Sequence, residues 1–165
     1  MSERLNSVCD QLCRLAMTLA GTCLVAITAI IAWQVFARYV LNNSPSWTEQ
    51  AALLVLVWMI FIGGAAGVHQ NFHLKLSILQ DSLPPAGRQS LRVVTQALVA
   101  MFGIAMMLCG MGLAAATAQH ELPALGISRS VTYLPVAISG ALVTLFSLNR
   151  AVRIAQGREV AEAWN

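Results

Sequence analysis

The sequence predicts an all-α integral membrane protein, a single membrane domain with four transmembrane helices. Four runs that lack Asp, Glu, Lys, Arg and His hold 23, 19, 27 and 20 residues. A helix rising about 1.5 Å per residue needs roughly 20 residues to cross a bilayer core, so each run is long enough. The composition agrees, because 58% hydrophobic and 10% charged residues leave too little polar surface for a soluble globule. We place the spans at residues 15–37, 49–68, 90–118 and 130–149.

The distribution of positive charge predicts that both termini are cytoplasmic. Eight of the ten Lys and Arg residues belong to the N-terminal segment, the connector between the second and third helices, or the C-terminal tail. Arg38 and Arg129 fall on the other side. Cytoplasmic connectors are enriched in Lys and Arg, and an even number of spans returns the chain to the side where it began. The net charge of +3 indicates contact with anionic membrane lipids and does not call for nucleic acid.

The four cysteines are expected to be free thiols. The predicted topology puts none of them on the oxidising side of the membrane, where a disulfide would form. Cys9 and Cys13 are one helical turn apart, but no histidine or second cysteine pair lies nearby in the sequence to complete a metal site. We therefore predict no metal site.

The N-terminal segment, residues 1–14, has an amphipathic pattern. Leu5, Val8, Leu12 and Leu15 recur at helical spacing. This predicts a short helix lying on the cytoplasmic leaflet before the first span. The alternative is that the segment extends the first span into the cytoplasm. At the other terminus, we expect the polar tail, residues 150–165, to be helical at first.

A turn and a helix cap are predicted after the first span. Residues 42–45 read Asn-Asn-Ser-Pro, a composition typical of turns. Ser46 and Glu49 have the spacing of a capping box, in which each side chain bonds the other residue's backbone amide. Glu49 also has an interpretation as a proton or cation site, and a pairing of Arg38 with Glu49 across the turn stays open.

Small and aromatic residues indicate where helices pack. Gly63 and Gly67 form a GxxxG pair in the second helix, a spacing that lets a neighbouring helix approach closely. Trp58, in the middle of the same helix, is expected to pack against a helix of this chain or of a partner subunit. Residues 103–116 of the third helix are rich in Gly and Ala and predict a second close-packed surface.

The connector at residues 69–85 is predicted to lie at the cytoplasmic interface as a short amphipathic helix. An open strand edge beside lipid would leave backbone groups unpaired, which argues against an extended segment. Pro85 is suited to the first position of the third helix. Lys75, Arg88 and Arg92 are expected to anchor this face at the headgroups.

The second outer loop is predicted between His120 and Arg129, with Pro123 and Gly126 as helix breakers. The fourth helix carries Pro135 in its first turns, where the missing amide is least costly.

The pattern of ionisable residues argues against a self-contained transporter. Charged side chains at bilayer depth are costly and usually mark substrate or ion pathways, and discontinuous helices often form the substrate site. Every Asp, Glu, Lys and Arg here falls at a predicted membrane boundary or beyond it. We predict no catalytic residues, no substrate-binding residues and no enzyme activity.

A membrane anchor subunit of a respiratory redox enzyme is the alternative function. Such anchors often hold haem between axial histidines. His69 and His73 are predicted at the cytoplasmic face and His120 at the outer face, so no pair on different helices reaches one haem. A small transporter that acts alone is a third hypothesis.

Three sequence segments resemble a known transporter family. Residues 36–43 read FARYVLNN, residues 46–50 read SWTEQ, and residues 57–65 read VWMIFIGGA. Together with the connector NFHLKLSIL and its closing Leu83-Pro84, they are similar to the small membrane subunit, of the DctQ type, of tripartite ATP-independent periplasmic (TRAP) transporters. Gln50 stands where a second acidic residue is common, and Asn71 where a glycine often precedes the connector.

The resemblance implies a specific function in the bacterial inner membrane. It implies a scaffold for a large multi-helix membrane subunit, which carries the substrate and sodium sites, so no cofactor is expected in this chain. A periplasmic substrate-binding protein would deliver a C4-dicarboxylate or a sugar acid such as sialic acid, with sodium symport driving uptake. Candidate contacts with partners on the outer face are Arg38, Trp47, Glu49 and Glu121.

Overall fold

The computed structural model describes residues 2–43, 45–69 and 85–155. These residues form four helices and one two-stranded antiparallel hairpin. Each helix contains a segment long and apolar enough to cross a membrane, which confirms the four predicted spans. The helices are α1 (Ser2–Tyr39), α2 (Ser46–His69), α3 (Pro85–Ala116) and α4 (Ser130–Ala155), and the strands between α3 and α4 are β1 (Glu121–Leu122) and β2 (Ile127–Ser128).

The helices form a bundle in which α2 and α4 occupy the middle. Helix α1 packs on α2, α2 packs on α4, and α4 packs most extensively on α3. The turns at residues 40–43 and 117–129 lie at the same end of the bundle, which we call the hairpin end. The opposite end, where α1 begins and α4 ends, is the terminal end. Helices α2 and α4 run in the same direction, since Trp58 lies near Val131 and His69 near Phe146.

Helix α1 is continuous from Ser2 to Tyr39, so the predicted division into an interfacial helix and a separate first span is not found. The segment follows the alternative and extends the span. Among the described residues in the N-terminal half of α1, the buried ones are Cys9, Cys13 and Ala16, whereas Val8 and Leu15 of the predicted apolar stripe are exposed. Small side chains face the bundle here because α1 comes close to α2 and α4 at this end.

The other helix boundaries differ from the predictions by short stretches. Helix α2 begins at Ser46 and α3 ends at Ala116, and Pro85 is the first residue of α3, as its fixed φ favours. Helix α4 continues to Ala155 and so includes the start of the predicted tail.

Both turns of the hairpin end contain a residue with positive φ. Asn42 has φ 48°, a conformation that asparagine tolerates better than most residues, and the next amide, of Asn43, donates to the carbonyl of Ala37 at 3.1 Å. Gly126 has φ +64° in the turn between the two strands, where Leu122 pairs with Ile127. The predicted loop is thus a short hairpin with glycine at its tight position.

Candidate functional sites

The predicted capping box between Ser46 and Glu49 is not found at the start of α2 as the structure describes it, and a hydrogen bond of Thr48 occurs there instead. The hydroxyl of Thr48, which is fully buried, donates to the carbonyl of Pro45 at 2.8 Å. No hydrogen bond between Ser46 and Glu49 occurs among the described residues. Glu49 is exposed and remains available to solvent or to a partner.

A single side chain ties the two turns of the hairpin end together. The amide Oε1 of Gln50 accepts a hydrogen bond from the backbone of Ala124 at 3.2 Å. Ala124 lies in the turn between the two strands, whose base is closed by the amide of Arg129 donating to the carbonyl of His120 at 2.7 Å. Gln50 therefore positions the second turn against α2. The sequence marked Gln50 only as a departure from an acidic residue, with no signal for this contact.

The four candidate contact residues all lie at the hairpin end and are all exposed. Trp47 is 42% exposed, although it is a large aromatic residue. In the part of the chain that the structure describes, no salt bridge joins Arg38 to Glu49. These residues are therefore open to solvent at the same end of the bundle. They are Arg38, Trp47, Glu49 and Glu121.

Trp58 joins α2 to α4 through a hydrogen bond. Its indole Nε1 donates to the backbone carbonyl of Val131 at 3.1 Å. Val131 lies four residues before Pro135, which has no amide hydrogen to donate to this carbonyl. The neighbour predicted for Trp58 is therefore a helix of this chain.

Close helix packing is most pronounced between α3 and α4. A Cβ atom added to Gly103 would lie 2.5 Å from the Thr144 Oγ1, and one added to Gly140 would lie 2.5 Å from the Met107 backbone nitrogen. Gly110 is similarly close to the Ala137 backbone, at 2.7 Å. Glycine at these positions lets the two helix backbones approach each other, as small residues do in membrane bundles.

The GxxxG pair of α2 has looser surroundings. A Cβ atom on Gly63 would meet Ala20 of α1 at 3.4 Å, an ordinary van der Waals distance, and one on Gly64 would meet nothing within 4 Å. Gly67 is partly buried. The Gly63 position is thus occupied by α1, not left open for a second subunit.

Polar contacts join three helices at the terminal end. His69 of α2 lies 2.9 Å from the carboxylate of Asp10 of α1, and its ring stacks at 4.7 Å on Phe146 of α4. The Nδ2 of Asn149 donates to the Sγ of Cys9 at 3.6 Å. The sequence signal for these contacts was weak, because in each contact the two residues lie on different helices.

A polar cavity of about 90 Å³ opens beside these contacts. Its lining includes His69 of α2, Gln96 of α3, and Asn149, Arg150 and Arg153 of α4. Gln96 is only 6% exposed, and its Oε1 has no hydrogen-bond partner. The sequence does not predict this cavity, since a helical pattern does not show which helices meet.

The predicted interface anchors Lys75, Arg88 and Arg92 lie outside the residues whose side chains the structure describes. The histidines that are described do not form a haem site. His69 lies at the terminal end and His120 at the hairpin end, so these two residues do not face a common ligand. Within the described residues, no cluster of three His, Cys, Asp or Glu side chains is arranged to hold a metal ion.

Comparison with known proteins decides the family. Residues 27–157 match the family described as tripartite ATP-independent periplasmic transporters, DctQ component. The chain belongs to the DctQ family. It is therefore a small permease subunit of a bacterial TRAP transporter, a membrane protein and not an enzyme. The resemblance seen in its sequence motifs is confirmed.

Relatives of this DctQ-family chain include small permease proteins of two organisms. It is 28% identical over 127 residues to the sialic acid TRAP transporter small permease protein SiaQ of Vibrio cholerae, covering 77% of this chain and 73% of SiaQ. It is 24% identical over 135 residues to a putative TRAP transporter small permease protein of Haemophilus influenzae, covering 78% of this chain and 80% of that protein. A third relative is the C4-dicarboxylate TRAP transporter small permease protein DctQ of Vibrio cholerae, 25% identical over 83 residues, covering 50% of this chain and 36% of that protein.

Proposed function

We propose that this subunit holds the large permease subunit of its transporter in the inner membrane. The complex takes up an organic acid with a sodium gradient and a periplasmic binding protein. The names of the relatives support this substrate class, since one carries sialic acid in its name and another C4-dicarboxylate. The chain itself has its charges near the helix ends, which suits a scaffold better than a transport path.

A match to a longer permease carries the proposal of a large partner. The sialic acid TRAP transporter permease protein SiaT of Haemophilus influenzae is 28% identical over 81 residues, and these cover 49% of this chain but only 13% of SiaT. A segment similar to this chain therefore belongs to one polypeptide with a much longer permease. The presence of such a segment within a permease polypeptide supports association of this chain with a separate large subunit.

The surface of the bundle supports the same proposal. Only 6% of the apolar window of α1 is buried within this chain, compared with 39% for α4. Helix α1 thus presents long apolar faces to lipid or to another membrane protein. In our proposal, α1 provides part of the surface on which the large subunit packs.

The proposed orientation puts both termini in the cytoplasm. The eight positively charged residues of the N-terminal segment, the connector and the tail support it through the positive-inside rule. The hairpin end then faces the periplasm, where Arg38, Trp47, Glu49 and Glu121 would contact the binding protein or the outer surface of the large subunit.

Isolation of the chain from its native membranes tests the scaffold proposal. We expect a tagged chain, extracted in mild detergent, to carry a much larger polytopic membrane protein in stoichiometric amount, identified by mass spectrometry. Recovery of the chain by itself, or together with a soluble dehydrogenase, would contradict the proposal. An absorbance spectrum of the same sample tests the redox-anchor alternative, which requires a haem band.

Charge reversal tests the surface at the hairpin end. We expect Arg38→Glu and Glu49→Lys to reduce binding-protein-dependent uptake while the two membrane subunits still copurify. Arg14→Glu, at the terminal end, is the matched control and should leave uptake unchanged. Full uptake by both hairpin-end variants would remove these two residues from the functional surface.

A further inference from the structure

We propose that the cavity at the terminal end binds the headgroup of an anionic phospholipid, with phosphatidylglycerol as the ligand. The cavity measures about 90 Å³, several times the roughly 10–15 Å³ that one water molecule requires. It lies between α2, α3 and α4 near the ends of membrane-spanning helices, which is the depth of lipid headgroups in either leaflet. Lipid headgroups are present at this depth whichever end of the bundle faces the cytoplasm.

The charge of the lining favours a phosphate. Arg150 and Arg153 are three residues apart on α4 and line the same cavity. Guanidinium groups bind phosphate oxygens through paired, charge-assisted hydrogen bonds. Among the described residues no carboxylate lines the cavity. His69, which also lines the cavity, lies 2.9 Å from the carboxylate of Asp10, a residue whose side chain is 61% exposed.

Gln96 adds a second requirement to the anionic charge that the arginines favour in a ligand. Its side-chain Oε1 is buried without a hydrogen-bond partner, and it lines the same cavity as the two arginines. A buried acceptor in an apolar region costs free energy unless a donor reaches it. A ligand that suits this cavity therefore brings a hydrogen-bond donor as well as an anion.

These two requirements together select the headgroup chemistry. The glycerol headgroup of phosphatidylglycerol supplies hydroxyl donors beside its phosphate, so its hydroxyl would donate to Gln96 while the phosphate bonds the arginines. Phosphatidylethanolamine also supplies a donor, but its ammonium group would lie beside two guanidinium groups and be repelled. A soluble phosphate shares the anion chemistry and is distinguished by experiment.

Native mass spectrometry of the full chain in detergent tests the proposal. The purified chain is titrated separately with phosphatidylglycerol, phosphatidylethanolamine and inorganic phosphate. We expect phosphatidylglycerol to bind at least about tenfold more tightly than phosphatidylethanolamine, from charge-assisted bonds to Arg150 and Arg153. Arg150→Gln and Arg153→Gln should each remove most of this preference. Arg129→Gln, at the hairpin end, is the control and should retain it.

Further variants and titrations distinguish binding of the glycerol headgroup from binding of phosphate alone. Gln96→Leu should lower the affinity for phosphatidylglycerol but leave that for phosphatidic acid, which lacks the glycerol headgroup, unchanged. Arg150→Lys and Arg153→Lys retain the charge but lose the paired guanidinium hydrogen bonds, so they should weaken the preference, and they serve if a glutamine variant does not fold. Equal binding of the two phospholipids by the natural chain would overturn the proposal, as would unchanged selectivity in any folded variant of Arg150 or Arg153. Displacement of the lipid by millimolar inorganic phosphate would identify a soluble anion as the ligand and overturn the lipid assignment.

Discussion

The indole of Trp58 donates a hydrogen bond to the backbone carbonyl of Val131 across 3.1 Å. In a regular helix, that carbonyl would accept from the amide four residues later, but this position is Pro135, which has no amide hydrogen. Inside a bilayer, no water is available to replace the missing donor. A tryptophan on α2 thus satisfies a backbone group that proline leaves open on α4.

Replacing Trp58 with phenylalanine should destabilise the bundle by about 1–3 kcal/mol, because the partly buried carbonyl of Val131 then loses its donor. Phenylalanine keeps an aromatic ring, so most of the packing remains. The free energy of unfolding, followed by circular dichroism in detergent with increasing denaturant, measures the loss.

A double-mutant cycle with Pro135→Ala separates the hydrogen bond from packing. Alanine restores a helical donor to the Val131 carbonyl, so Trp58→Phe should cost less in this background than in the natural one. We expect a coupling of about 0.5–1.5 kcal/mol. Identical costs in the two backgrounds would show that the indole acts through packing and not through its hydrogen.

Close packing of α3 on α4 makes a second prediction. Gly103→Ala should destabilise the protein by about 1–3 kcal/mol, since the new Cβ atom would lie 2.5 Å from the Oγ1 of Thr144 and 2.9 Å from its backbone nitrogen. Thermal unfolding in detergent reports the change. Gly112→Ala, on the same helix, is the matched control, because nothing lies within 4 Å of that position.

The control should keep or slightly raise the stability, since alanine is the better helix former by up to about 1 kcal/mol. If both alanine variants unfold at the same temperature, the α3–α4 distance is not set by glycine.

The four spans could be predicted because hydropathy and length are properties of each segment by itself. In lipid, every backbone group must be satisfied within a helix, so a long apolar run has few alternatives. The lateral order of the helices depends instead on contacts between distant residues. The predicted close-packed surface at residues 103–116 does pack tightly, at Gly103 and Gly110, but its partner Gly140 on α4 lies in no such pattern, and the GxxxG pair at Gly63 and Gly67 has looser surroundings.

The candidate sites also differ in whether they depend on one segment or on contacts between distant residues. The exposed surface at the hairpin end could be named from the sequence, because turns and charged residues mark helix ends. The cavity at the terminal end could not, since Gln96 and Arg150 come from different helices and meet only after the bundle forms. The amphipathic stripe of the N-terminal segment also misled, as α1 buries Cys9 and Cys13 instead of its larger apolar residues.

The contacts of His69 at the terminal end give a third prediction. His69→Ala should destabilise the bundle by about 1–3 kcal/mol, because it removes the ring that packs at 4.7 Å on Phe146. Asp10→Asn should cost less than about 1 kcal/mol, since exposed ion pairs contribute little and the amide can still hydrogen-bond. Denaturant unfolding compares the two. A larger loss for Asp10→Asn would indicate that charge, not packing, holds α1 at this end.

The contact between Gln50 and the second turn gives the last prediction. Gln50→Ala removes the acceptor for the amide of Ala124, which lies 3.2 Å from the Gln50 Oε1. A hydrogen bond of this kind contributes about 1 kcal/mol, so the amide of Ala124 should exchange with solvent roughly fivefold faster. Hydrogen–deuterium exchange of the peptide that contains residues 120–129 measures this. Glu49→Gln, the neighbouring control, should leave the rate unchanged, because Glu49 is exposed and makes no contact with the turn among the described hydrogen bonds. Unchanged exchange in Gln50→Ala would mean that the strand pairing holds the turn without help from α2.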